Sequence, residues 1–307
     1  MKHPVDTIID PGKCNGCGEC VRVCPSRTIE MRGDRAVIVG KWSLGCGHCA
    51  AVCPTEAVTV GDLDSDALLL AACDDGTAAA AEFDIAGLVR LMKSRRSCRN
   101  YLDRPVPRAL LEDLARIGTT APSGTNCQLW TFTILPDRES VLALGEAVGD
   151  FFRRICRKAE NPALRLLSKL SSGDPLGAFY RDHYEDVREG LRLRDEEGRD
   201  PLFHGAPSLI LVGSRPGGSC PAEDALLASQ NILLAAHSLG LGSCMIGFAV
   251  EAMKHDPSIG VLLKIPAGEG IHAVIAIGWP DEHYLAPAGR RRIEPRFFSP
   301  GVGEGRD

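Results

Sequence analysis

The sequence is short of positive charge: 35 Lys and Arg stand against 40 Asp and Glu, a formal net charge of −5. That balance excludes the broad basic surface through which proteins hold nucleic acid. Long apolar runs are missing too. The longest, Ile232–Val250, is interrupted by His237, Ser238 and the glycines at 240, 242 and 247, which is too polar for a bilayer span. No secretory segment is visible at the N-terminus, so a reducing, cytoplasmic setting is expected. No G-x-G-x-x-G follows a strand-like segment. The glycines at 240, 242 and 247 follow a helical one, so no Rossmann site for a dinucleotide is expected.

Cysteine, by contrast, is abundant, with 13 in 307 residues. Cys14, Cys17, Cys20, Cys24 and Pro25 form a C-x2-C-x2-C-x3-C-P run, the pattern of bacterial ferredoxins. Cys46, Cys49, Cys53 and Pro54 repeat it 29 positions later, with Ser43 where the leading cysteine should stand. The flanks repeat as well: Gly16 with Gly45, Gly18 with Gly47, Val23 with Val52. Soft thiolates suit iron, and short gaps let one loop wrap three of them around one cube. The fourth cysteine turns away and ligates the other cluster. On that pattern Cys14, Cys17, Cys20 and Cys53 hold a 4Fe–4S cluster. Cys24, Cys46 and Cys49 hold a second, with whatever fills the place of Ser43. Three outcomes stay open there: a 4Fe–4S cluster with a serine oxygen ligand, a 3Fe–4S cluster on three thiolates, or completion by a distant thiol such as Cys73. Zinc knuckles use two pairs of ligands, and a disulfide framework needs an oxidising compartment. The other six cysteines (73, 98, 127, 156, 220 and 244) have no pairing spacing and read as small buried hydrophobes.

Composition divides the chain into residues 1–61, a ferredoxin-like iron–sulfur domain, 62–84, an acidic then alanine-rich linker, and 85–307, a second domain. In the first, Ala36–Val39 and Ala57–Val60 read as strands flanking the cluster loops. In the second, Asp84 is the expected cap of a helix with Ile85, Leu88, Val89 and Met92 on one face. Pro107 opens another, striped by Leu110, Leu111, Leu114 and Ile117. Leu129–Leu135, Ser208–Val212 and His272–Gly278 read as strands. Residues 151–199 form a charged helical insertion, either a solvated surface or a lid or dimer arm. Tyr180, His183 and Tyr184 within it read as surface or packing residues. Glu223 and Asp224 start a helix whose dipole they complement, and Gly240 ends it.

Arg95, Arg96, Ser97, Arg99 and Asn100 gather three guanidiniums and a hydroxyl into a site for an anion, phosphate above all. Three further segments add to it: Ala121-Pro-Ser-Gly-Thr-Asn-Cys-Gln128, Ser243-Cys-Met-Ile-Gly-Phe248, and Gly289-Arg-Arg-Arg292. In this order the segments resemble the nitroreductase superfamily of FMN enzymes over residues about 85 to 300. With the cysteine repeats, the whole chain resembles ferredoxin–nitroreductase fusions.

The resemblance implies an α+β fold: a small ferredoxin-like domain, then an FMN domain with a central, mainly antiparallel sheet flanked by helices. It also implies a homodimer with FMN at the subunit interface. Arg95, Ser97 and Arg99 are then expected to grip the FMN phosphate, helped by Arg290 and Arg292, with Arg96 on the pyrimidine edge. Pro122, Ser123, Asn126 and Gln128 would line the flavin, partly from the opposite subunit. Ile246 and Gly247 would set a backbone N–H near flavin N5. Cys98 stands where the family has an aliphatic residue. It is read as a buried space-filler, although three neighbouring arginines could lower a thiol pKa. The implied function is an FMN-dependent oxidoreductase that couples iron–sulfur electron transfer to two-electron reduction of a small acceptor (nitroaromatic, quinone or activated alkene), with NAD(P)H or reduced ferredoxin as donor. The alternatives are an electron-carrier or redox-sensing module serving a protein partner, and clusters that act only as staples. Oxygen-labile clusters suggest an anaerobic host. The substrate is not legible, because one fold serves many reactions.

Overall fold

The structure, a computed structural model, describes residues 3–61, 63, 70 and 84–298. The expected linker therefore lies almost wholly outside the described residues, as does Cys73. Residues 3–61 carry β1 (His3–Pro4), β2 (Thr7–Ile9), α1 (Glu19–Val23), β3 (Ile29–Arg32), β4 (Arg35–Ile38), β5 (Trp42–Ser43), α2 (His48–Ala51) and β6 (Val58–Val60). Three antiparallel ribbons result: β1 with β5, β2 with β6 and β3 with β4.

The sequence repeat is also a structural repeat. Helices α1 and α2 each start from a glycine in left-handed backbone, Gly18 at φ 74° and Gly47 at φ 73°. Gly16 makes the same demand more sharply: at φ 76°, a Cβ there would lie 2.2 Å from the Asp34 carbonyl oxygen. Three of the eight buried members of this unit's core are cysteines, Cys14, Cys20 and Cys49. The others are Ile29, Ala36, Ala57, Val58 and Val60.

The larger unit runs α3 (Ile85–Ser94), α4 (Arg108–Gly118), β7 (Trp130–Leu135), α5 (Arg138–Glu160), α6 (Pro162–Ser172), α7 (Pro175–Asp182), α8 (Tyr184–Glu197), β8 (Ser208–Ser214), α9 (Pro221–Ser238), β9 (Gly242–Met245), α10 (Gly247–His255), α11 (Pro257–Leu262) and β10 (Gly270–Gly278). Asp84 caps α3 as expected, its carboxylate accepting the Gly87 N–H at 2.9 Å. Helix α4 buries Leu110, Leu111 and Leu114. The strands order as β7-β8-β10-β9, each pair antiparallel.

Because side chains alternate across a strand, β8 and β10 feed two cores. Ile210, Val212, Ala273, Ile275 and Ile277 meet the helix residues Leu111, Leu114, Ala228 and Ile232 of α4 and α9. Leu209, Leu211, Val274 and Ala276 meet Leu144, Val148, Phe152 and Ala249 of α5 and α10. The sheet is thus covered on both faces, which is why β8 and the C-terminal part of β10 read as unbroken apolar runs rather than alternating ones.

The charged region begins inside a helix: α5 runs unbroken through Phe151, whose ring is buried beside Phe152. Helix α8 is largely solvent-facing, Arg192 alone meeting Glu189, Glu196 and Glu197. Tyr184 is a packing residue, buried with its hydroxyl donating to Glu160 at 2.7 Å. Helix α7 differs from α8. Its Phe179, and His183 just beyond it, turn toward the cavity below α10.

Candidate functional site

The cysteines fall into two groups. Burial pushes the Cys20 thiol up, and the nearby Cys17 and Cys14 add to it. Burial does the same at Cys49, where the charged neighbours are Cys24 and Cys46. Cys14 and Cys17 thus lie near Cys20, whereas Cys24 and Cys53 both pack against one buried cluster that holds Cys14, Cys20 and Cys49 alike, and among the described residues no three His, Cys, Asp or Glu side chains are drawn together closely enough to hold a single metal ion. In the second group, Cys24, Cys46 and Cys49 share a cavity with Ser43. The Ser43 Oγ accepts the Gly45 N–H at 3.1 Å. Three thiols and a hydroxyl around one cavity fit an iron–sulfur group and leave open what completes it.

Cys24 and Cys53, the cysteines expected to cross over, share a different environment. Burial raises each thiol, but hydrogen bonds outweigh it and both end below the ordinary range. At Cys24 the donors are the Thr28 hydroxyl (3.4 Å) and N–H (3.5 Å). At Cys53 the Ala57 N–H lies at 3.2 Å, and the Thr55 hydroxyl at 3.7 Å. Hydrogen bonds to ligand sulfur are a lever on cluster potential.

The cation site is built by an edge strand. Ser97 bridges Ser243 in parallel, and the Cys98 N–H donates to the Ser243 carbonyl at 3.0 Å. Residues 95–99 thus lie alongside β9. In extended backbone alternate residues face opposite ways. Cys98 turns inward, 3% exposed. Arg95, Ser97 and Arg99 all act on Cys244 of β9, Ser97 by a hydrogen bond and the arginines by charge.

Burial holds the Cys98 thiol at about 11, so the three arginines do not activate it. We expect iodoacetamide to label exposed Cys220 and to leave Cys98 unmodified at pH 8, since the thiolate is the nucleophile. Peptide mass spectrometry reads the result, and equal labelling of the two would refute this placement.

Burial lowers the Arg95 pKa, and Arg96 and then Arg290 lower it further. Among the described residues no ion pair engages Arg95, Arg96, Arg99, Arg290 or Arg292, in contrast to Arg192 with its three carboxylates. Beside Arg95 and Arg96, in the same cavity, the Ser243 hydroxyl is buried without a hydrogen-bond partner. An anion with several acceptor oxygens fits both observations. His237, which the sequence reading passed over, lines this cavity and meets the Ser94 hydroxyl at 2.8 Å. Burial, then Arg95, keeps its pKa low and its ring neutral at physiological pH.

Arg99 lines another cavity, with Ile246 and Gly247 at the start of α10 and with Phe152, Phe179, Phe248 and His183 around it. A Cβ at Gly247 would meet nothing within 4 Å, so the backbone there is open to a flat ligand. The expected residues are therefore distributed: Arg95 and Arg96 on one cavity, Arg99, Ile246 and Gly247 on the other, with Cys244 near both groups and Arg290 close enough to act on Arg95 by charge without lining either cavity. Arg292 lies two residues beyond Arg290 in an exposed segment.

Pro122, Ser123, Asn126 and Gln128 line neither cavity. Their loop is held by a residue read from sequence only as a dipole complement. Asp224, 6% exposed, accepts the Gly124 N–H at 2.9 Å and the Cys127 thiol at 3.5 Å. The Ser123 hydroxyl accepts the Gln128 N–H at 3.0 Å. Thr125, Asn126 and Gln128 have φ of 53°, 55° and 48°, strained for side-chain-bearing residues and typical of binding loops. Asn126 faces the small unit: its Nδ2 donates to the carbonyls of Gly45 at 3.1 Å and Leu44 at 3.4 Å.

Comparison with known proteins agrees with this division. Residues 92–279 match the nitroreductase family and residues 6–54 a 4Fe-4S dicluster domain. A 4-nitrobenzoate reductase from Nocardioides is 27% identical over 219 residues, covering 67% of this chain and 85% of that protein. An iodotyrosine deiodinase from Thermotoga neapolitana is 26% identical over 198 residues, 64% of this chain and 89% of that one. The crystal structure of a nitroreductase with bound FMN from Desulfitobacterium hafniense superimposes with a TM-score of 0.50 at 21% identity, over 69% of this chain and 97% of that chain, a likeness of fold. The chain belongs to the nitroreductase family, with a 4Fe-4S dicluster domain fused ahead of the family's own domain.

Proposed function

We propose that this protein is an FMN-dependent oxidoreductase in which iron–sulfur centres exchange electrons with the flavin and a small electrophilic acceptor is reduced by two electrons. The observation that carries the reading is the pair Arg95 and Arg96, without ion pairs among the described residues, on the cavity of the orphaned Ser243 hydroxyl, with Arg290 acting on Arg95 by charge and open backbone at Gly247 on a second cavity. The cations and Ser243 would hold the phosphate end. Arg99, which shares its cavity with Ile246 and Gly247, suits the ring end better than the phosphate, and Arg96 the reverse. Bound FMN supplies two-electron storage and hydride transfer.

The protein's part is positional and electrostatic. The first N–H groups of α10 face the ring end with the positive end of the helix dipole. Phe152, Phe179, Phe248 and His183 line the space beside Gly247. That aromatic wall favours an aromatic or quinonoid acceptor. Donor, acceptor and a homodimer that brings in Pro122, Ser123, Asn126 and Gln128 belong to the same proposal. The unpartnered exposed side chains Ile293, Phe297 and Phe298 of the C-terminal segment are in keeping with a subunit contact.

The test is anaerobic. FMN-loaded protein is mixed with NADH, NADPH or reduced ferredoxin, flavin absorbance is followed, and a nitroaromatic is then added. We expect bleaching by one of the donors and recovery on adding the acceptor. Bleaching without recovery by any nitroaromatic, quinone or activated alkene would instead make the protein a relay to a protein partner.

A further inference from the structure

We propose that the two cysteine repeats act in series and that the serine-bearing repeat is the inner station, docked against the flavin-site loop by Asn126. The inference rests on the function proposed above and adds an order to it. Its basis is the geometry of one side chain. Both partners of the Asn126 amide, the Gly45 and Leu44 carbonyls, are acceptors, so its NH2 group must face them. Gly45 walls the cavity shared by Ser43, Cys24, Cys46 and Cys49. Leu44 and Gly45 are also the two residues between Ser43 and Cys46.

On the other side, Asn126 is fixed in left-handed backbone within the loop that buried Asp224 anchors. Two hydrogen bonds from one amide thus link the turn at the second cysteine site to the loop proposed for the flavin. The first repeat is fastened elsewhere: Arg35 donates to the Pro11 and Cys14 carbonyls within its own unit, and Cys17 is exposed. Cys14, Cys17 and Cys20 therefore mark the outer station, open to a donor or acceptor in solution.

The order holds for either direction of flow. In the reductive direction each station passes one electron inward. Two electrons and two protons from water convert a nitro group to a nitroso group and water.

Asn126 is a positioning residue here, and the test reads the clusters directly. Ser43→Cys tags the inner station without removing it. Full-length, FMN-loaded protein is reduced anaerobically with dithionite, desalted, mixed with a nitroaromatic and freeze-quenched for EPR in perpendicular and parallel modes. We expect Ser43→Cys to change one cluster signal and leave the other. The changed signal should decay first, with the unchanged one lagging.

Asn126→Leu should slow the decay of the tagged signal about tenfold, measured on the FMN-loaded fraction, with its line shape kept. Cys46→Ala should leave the outer signal unable to decay with the flavin. Four results would each overturn the inference: an untagged signal that decays first, an outer signal that still follows the flavin in Cys46→Ala, no change of either signal in Ser43→Cys, or an unaltered rate in Asn126→Leu. A protein that retains no flavin, or whose reduced flavin the acceptor does not reoxidise, fails the proposed function instead. A reoxidised flavin with the wrong order fails this inference alone.

Discussion

Stripping the iron from this protein will unfold residues 3–61 and leave residues 84–298 folded. The small unit cannot stand on apolar packing. Of its eight buried core residues three are cysteines and two are alanines, and only Ile29, Val58 and Val60 are larger aliphatics. Domains below about 70–80 residues rarely draw more than about 3–5 kcal/mol from a core alone and depend on staples. Its regular pairing is three short ribbons, and an isolated two-stranded ribbon is marginal in water. Its metal binding and its folding should therefore be one equilibrium. The larger unit has independent cores on both faces of its sheet. Hydrogen exchange before and after treatment with a chelator and mild oxidant measures this. Peptides spanning β2 and β6 should lose protection, while those of β8 and β10 keep it. Protection retained across β2 and β6 in iron-free protein would show that the thiols pack as ordinary hydrophobes.

Arg95→Ala will weaken FMN binding by roughly 10- to 150-fold and will not destabilise the flavin-free protein. A hydrogen bond to a charged group is worth about 1.5–3 kcal/mol, and about 1.4 kcal/mol is tenfold in affinity. The opposite sign in the free protein follows from what surrounds Arg95. It is partly buried and opposed by Arg96 and Arg290, and among the described residues no ion pair offsets this although Glu282 lines the same cavity, so in the empty site its charge is a cost. Arg95→Lys keeps the charge but loses the fork that matches phosphate, and its affinity should fall between the two. Fluorescence titration with FMN and thermal melts of flavin-free protein measure the pair. A lower melting temperature with unchanged affinity would reduce Arg95 to a packing residue. A weaker loss of affinity at low salt than at high salt would also count against the assignment, since electrostatic grip is strongest at low ionic strength.

Much of this was legible in the chain. The helices at 85 and 108 announce themselves by Asp84, Pro107 and a 3.6-residue stripe, the strands at 208 and 270 by apolar runs that a doubly covered sheet requires, and the edge strand at 130 by threonines alternating with larger apolar residues. The cysteine repeat reads directly because its cysteines are local, a few residues apart. What the chain conceals is pairing at long range. Nothing in Ser97 or Ser243 says that they lie side by side, so the partition of arginines between two cavities emerges only from the edge strand. Asp224 looks like any acid in the first turn of a helix, and its role as anchor depends on a loop 100 residues away. The split of 151–199 was misleading for a similar reason. Charge marks its solvent face, while Phe152 and Phe179 turn inward to the cavity.

The contact between the units has one more consequence, for how such a fusion can change over time. Asn126 grips main-chain oxygens, and every amino acid carries one. The turn at 44–45 can therefore drift in side chain as long as its backbone path survives, and that path is set by Gly45 at φ 57°. Among the hydrogen bonds of the described residues, recognition thus falls on the family domain and on the Asn126 amide. A chain built this way could accept another small module that presents a carbonyl-rich turn. A substitution at position 126 would remove this contact and leave both halves intact.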